Sequence, residues 1–146
     1  MKKSLNEKMD GFNRRELLNR AREIVNFIEQ AHKSGLAAHD VEEALFRQLI
    51  ELGYRALGMF FVLCGDGDEG EAITLTEGQT VRRLGELHKR EYQSVFGLFE
   101  LWRVVYGTRA GQKIEHVPLD AKLNLPESKF SYLLQDWDQS LIVEMP

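Results

Sequence analysis

Eight basic side chains, Arg82, Arg83, His88, Lys89, Arg90, Arg103, Arg109 and Lys113, fall within one short stretch, interleaved with Tyr92, Trp102 and Tyr106. Guanidinium and ammonium groups contact phosphate, and aromatic rings between them offer faces to bases. A β-ribbon edged with such cations can dock on a nucleic-acid backbone or enter a groove. The same pattern also describes a solvated sheet face whose aromatics lie in the core. Both readings stand at this level.

Other chemistry is excluded by spacing. Gly65-Asp66-Gly67-Asp68-Glu69-Gly70 matches G-x-G-x-x-G by letter. A dinucleotide fingerprint needs a strand before it and a helix after it, and three carboxylates in the loop would repel phosphate. As a calcium loop, Asp66 and Asp68 lack a third oxygen ligand at Gly70. Only Glu77 falls in register at the far end, and no helix follows. His32, His39, His88 and His116 include no i,i+4 pair, and Cys64 stands alone, so no metal site is read. Asp136 and Asp138, at i and i+2 on a predicted helix, point in different directions and do not form an acid–base pair. No serine sits in a nucleophile elbow. The expectation is no catalytic residue, no metal site and no cofactor in this chain.

The elements that must position the basic stretch follow from periodicity. The chain has 146 residues, 43% hydrophobic and 29% charged, which is globular composition. Its apolar runs are too short to span a bilayer and no signal-peptide core follows the N-terminal lysines, so a cytoplasmic protein is expected. Net charge is −4, but unevenly spread: +3 over residues 1–34, −7 over 35–80, +4 over 81–113 and −4 over 114–146. A basic block in an acidic chain either makes a local positive surface or is neutralised by acidic blocks facing it.

Leu17, Ala21, Ile24, Ile28 and Ala31 recur at helical spacing, predicting an amphipathic helix over 13–33 closed at Ser34-Gly35. A second helix is predicted from Asp40, with Glu43 completing a capping box. Its buried face is read as Val41, Leu45, Leu49, Leu52, Ala56, Phe60 and Leu63, and its solvated face as the ladder Glu43, Arg47, Glu51 and Arg55. After the glycine-rich stretch, Ala72–Leu75 and Thr80–Leu84 flank the turn TEGQ. Tyr92–Phe96 and Phe99–Tyr106 flank Gly97-Leu98, read as a two-residue hairpin loop, and Lys113–Val117 supplies a further strand. Pro126 and Glu127 mark the start of a last helix, whose apolar stripe runs through Phe130, Leu133, Leu134, Trp137, Leu141 and Ile142. The expected fold is α+β: a long N-terminal helical hairpin over 1–64, a small antiparallel β-sheet region over 65–118, and a linker with a C-terminal amphipathic helix over 119–146.

Residues 82–141, with the strings SVFG, VVYGTR, GQK, VPLD, LNLPESKFSY and LLQDWDQSL in that order, resemble the N-terminal portion of ISKra-type insertion-sequence transposases. The resemblance covers about 60 residues, by count of that span, and the upstream hairpin is compatible with it. It implies a downstream catalytic domain of ribonuclease H-like fold. There, three acidic residues would bind divalent metal, expected to be magnesium, for strand cleavage and joining. Those positions would fall beyond Pro146, so the acidic residues of this chain receive no catalytic role.

The expectation is therefore an N-terminal transposase fragment that contacts DNA at element ends without catalysis of its own. Phosphate contacts are expected from the eight basic residues named first. The alternatives are a dimerisation or interaction module, forming a homo-oligomer through the helical hairpin, and a truncated remnant without present function.

Overall fold

The computed structural model describes residues 11–108 and 113–144, with side chains as far as Asp138. The architecture is α+β, and the described residues fall into two compact units that divide between Leu63 and Cys64.

In the first unit, helix α1 spans Arg14–Ser34. Asn13 is extended at its N-terminus and its side-chain oxygen accepts from Glu16 N at 2.9 Å, satisfying an otherwise orphaned amide. Gly35, at φ 67°, ends the helix, and the backbone amides that follow donate to His32 and Ala31. Helix α2 spans Ala38–Cys64 and returns antiparallel. Phe12, just before α1, meets Tyr54 edge-to-face with ring centroids 5.5 Å apart. A Cβ at Gly58 would overlap the Phe12 ring, so only glycine fits there. Further along, Ile24 and Phe27 of α1 share a groove with Arg47, Gln48 and Glu51 of α2.

Two expectations for α2 are corrected. Its first turn begins at Ala38, with Val41 N bonded to Ala37 O, so Asp40 lies inside the helix and forms no capping box. The expected buried face is also only partly buried, since Leu49, Ala56, Phe60 and Leu63 are exposed while Gly58 and Phe61 are buried. The pairs Arg47–Glu43 and Arg55–Glu51 form at 2.8 and 2.9 Å, but Arg47 and Glu51 line the α1 groove. The cause is a contact distant in sequence: the Phe12 ring needs a surface without a Cβ, and meeting Gly58 turns that side of α2 toward the start of α1.

Among the described residues the second unit holds six strands: β1 (Ala72–Thr74), β2 (Thr80–Arg83), β3 (His88–Ser94), β4 (Gly97–Arg103), β5 (Tyr106–Gly107) and β6 (Ile114–His116). They form an antiparallel sheet in the order β1-β2-β5-β6 and a separate ribbon, β3-β4. TEGQ closes the β1–β2 hairpin, with Gly78 N bonded to Leu75 O. The expected strand over Phe99–Tyr106 is instead two strands. The chain leaves the ribbon at Arg103, passes through buried Val104 and Val105, and joins the sheet as β5.

The Gly97-Leu98 loop is corrected as well. Ser94 pairs with Gly97, so the turn residues are Val95 and Phe96, held by amides of Phe96 and Gly97 donating to Ser94 Oγ. One core packs Val81, Val104 and Tyr106 with Ile73, Leu75 and Leu87.

The short helix α3, Pro118–Leu123, was not expected. Proline occupies its first turn, and Asn124 ends it at φ 49°. Nor does the last helix start at Pro126. The chain from Lys129 to Ser131 runs parallel to β3, with Gln93 N donating to Lys129 O and Ser131 N to Gln93 O. Ser131 Oγ then accepts from Leu134 N and caps helix α4, Tyr132–Glu144. Leu141 and Ile142 of the expected stripe lie outside the described side chains, while Phe130, Leu133 and Trp137 are exposed.

Candidate nucleic-acid interface

The basic residues divide by what their side chains already hold. On β2, Val81 turns inward to the core and Arg82 lies on the opposite, exposed side, between Ala72 and Gly107. Arg83 is committed. Its Nη1 donates to both oxygens of Asp68 at 2.7 and 2.8 Å, tying the glycine-rich loop to the sheet.

That loop is organised by its own carboxylates. Asp66 accepts from Asp68 N and Asp68 from Gly70 N, so both act as turn residues. The Gly70 amide, and then Arg83, hold the Asp68 carboxyl below its ordinary 3.8. Stability from this group is present above pH 3.8 and lost as pH falls through the lowered folded value. In urea titrations between pH 5 and pH 2.5, wild type should lose more midpoint than Asp68→Asn, which has no proton to take up. Equal losses would show that the carboxylate contributes nothing.

On β3, Arg90 donates through Nη1 to Asp120 Oδ2 at 3.0 Å, and through Nη2 to the carbonyls of Pro126 and Ser128. On β4, Arg103 donates through Nη1 to the same Asp120 oxygen at 2.6 Å, with its side chain only 12% exposed. Both therefore clamp the ribbon to α3 and the segment after it. Arg103 Nε and Asp120 Oδ1 are buried without a hydrogen-bond partner among the described residues. Asp120, which sequence reasoning passed over, is the centre of this cluster. Its signal was the sequence VPLD: a proline followed two residues later by an acid, which marks a helix start.

His88 and Lys89, at the open end of the ribbon, are exposed. Lys89 lies 3.4 Å from Glu100 in an exposed pair, an interaction worth about 0.2–1 kcal/mol at most. Lys113 is exposed immediately before β6. Through Gly107, β5 separates Arg82 from Ile114 by two strand spacings, about 10 Å. Arg109 lies outside the described residues.

The aromatics also separate. Tyr92 and Trp102 are half-buried, whereas Tyr106 is fully buried. Its hydroxyl donates to Gly70 O at 2.7 Å and accepts from Glu69 N at 2.9 Å. It is a core strut, as the reading that puts the aromatics in the core expects.

Both sequence readings of the charge blocks thus have a counterpart. Acidic side chains from the flanking blocks neutralise Arg83, Arg90 and Arg103, while Arg82, His88, Lys89 and Lys113 remain at the surface. Among the described residues, no group of three or more His, Cys, Asp or Glu is placed to hold a metal ion. No described helix is long and apolar enough to cross a membrane. No family model, characterised protein or solved structure matches the chain.

Proposed function

We propose that this chain is a non-catalytic, transposase-like N-terminal module that acts in the cytoplasm and contacts DNA through Arg82, His88, Lys89 and Lys113. One observation carries the reading: these four side chains are exposed on a β scaffold that Arg83, Arg90 and Arg103 help to build. The resemblance of residues 82–141 to ISKra-type transposases supports it from the sequence side. Arg83, Arg90 and Arg103 leave the contact set, because freeing them would cost their internal ion pairs. Any strand chemistry, and the magnesium for it, belongs to a catalytic domain elsewhere.

The test is duplex DNA binding by the full chain as salt is raised. The three fixed cations Arg82, Lys89 and Lys113 predict a log–log slope of about −2.7, at roughly −0.9 per phosphate neutralised. Between 50 and 200 mM salt, affinity should then fall roughly 40-fold. The triple variant Arg82→Ala, Lys89→Ala, Lys113→Ala should flatten that slope while keeping the wild-type circular dichroism. A flat wild-type response, or a triple variant that binds as wild type does, would sink the proposal.

A further inference from the structure

Helix α2 carries an apolar stripe on the side turned away from α1. Phe46, Leu49, Gly53, Ala56, Phe60 and Leu63 recur at alternating spacings of three and four, the signature of a helix–helix seam. Phe46 is 66% exposed, Leu49 53%, Phe60 49% and Leu63 74%. From Ala56 to Cys64 the helix has no charged residue on any side, and a helix that is apolar all round is one that becomes buried.

We infer that this stripe pairs with the same stripe of a second copy of the chain, antiparallel, making a homodimer. Three observations select that occupant. The first is symmetry. The two phenylalanines of the stripe, Phe46 and Phe60, lie seven residues on either side of Gly53, with Leu49 and Ala56 between. A two-fold axis at Gly53 sets Phe46 of one copy near Phe60 of the other and Leu49 near Ala56, with the glycines at the crossing, where helices approach closely.

The second is charge. Asp40, Glu42 and Glu43 crowd the N-terminal end of α2. Parallel pairing would set these carboxylates beside their own copies. Antiparallel pairing lays each acidic end along the partner's uncharged end and opposes the helix dipoles.

The third is area. The four exposed large side chains leave roughly 400 Å² of apolar surface open, within the range of functional patches on monomers. Two copies supply roughly 800 Å² from these side chains alone. The half-buried flanks Leu45, Ile50 and Leu57 take the total toward the ~1,200 Å² at which stable specific interfaces begin.

The dimer is independent of DNA contact, and its test uses mass alone. Sedimentation equilibrium of the full chain should give twice 16.9 kDa at micromolar concentration. Leu49→Glu and Ala56→Lys should each sediment as single chains with unchanged helicity, because each buries an unpaired charge twice. Mixed one to one, they should restore the double mass, since antiparallel pairing brings Glu at 49 of one copy against Lys at 56 of the other.

A wild-type mass of one chain across the range overturns the inference, whatever else covers the stripe. So does a dimer that Leu49→Glu leaves intact. Variants that dissociate but do not recombine on mixing overturn the antiparallel register.

Discussion

Replacing Asp120 by alanine is expected to destabilise the second unit by about 3–5 kcal/mol, read as a lower urea midpoint at unchanged slope. The carboxylate serves two guanidiniums at once, from Arg90 at 3.0 Å and Arg103 at 2.6 Å. Removing it leaves the largely buried Arg103 beside Arg90 with no counter-charge. Arg90 keeps the carbonyls of Pro126 and Ser128, while Arg103 has no other ion pair among the described residues, so most of the penalty falls on Arg103.

A double replacement separates the loss of attraction from the stranding of a charge. Arg103→Met in an Asp120→Ala background removes the stranded cation and should recover part of the loss, because an apolar side chain tolerates burial that a lone cation does not. A loss under about 1 kcal/mol for Asp120→Ala, the range of an exposed pair, would show that solvent reaches the cluster. DNA affinity of the folded Asp120→Ala protein should stay at its wild-type value. Arg90 and Arg103 are struts in this reading, and a gain in affinity on releasing them would return both to the contact set.

What sequence pattern revealed here follows the reach of each interaction. Helix α1 was legible to within a residue because its signals are local: Asn13 before the first turn, a regular apolar period, and Gly35 after the last. The β1–β2 hairpin was legible for the same reason. The orientation of α2 was not, although its periodicity was read correctly. Period says which residues share a face, and says nothing of which neighbour that face meets. That choice rests on Phe12 against Gly58, a contact between residues 46 positions apart.

The candidate site failed at the same scale. Arg82 and Arg83 are adjacent identical residues, yet strand alternation and one carboxylate fifteen residues upstream make the first exposed and the second committed. Asp120 reaches Arg90 from thirty residues downstream. Block charges carried the information that acid and base would meet, but not which pairs would form. The strand expected to run unbroken from Phe99 to Tyr106 shows the limit for sheets. An apolar run looks the same whether it crosses one sheet or passes between two, and only the pairing partners of Leu101 and Tyr106 separate the cases.

Tyr106 should be the second large effect, and its two variants should separate packing from hydrogen bonding. Tyr106→Ala removes a fully buried ring from the core of Val81 and Val104 and should cost about 3–5 kcal/mol, as other large-to-small aromatic deletions do. Tyr106→Phe keeps the ring and loses only the hydroxyl between Glu69 N and Gly70 O. Because Glu69 and Gly70 are themselves exposed, water can replace that partner, and the cost should sit near the lower end of about 1–3 kcal/mol. The loss should be local. Amide exchange of the 66–70 loop should quicken in Tyr106→Phe while the β3–β4 ribbon keeps its protection. The hydroxyl lies inside the fold, so DNA affinity and its salt slope should be those of wild type. An affinity change in Tyr106→Phe at full stability would place this ring at the nucleic acid and undo its assignment as a strut. An equal stability loss in both variants would mean that the hydroxyl, and not the ring, anchors the acidic loop to the sheet.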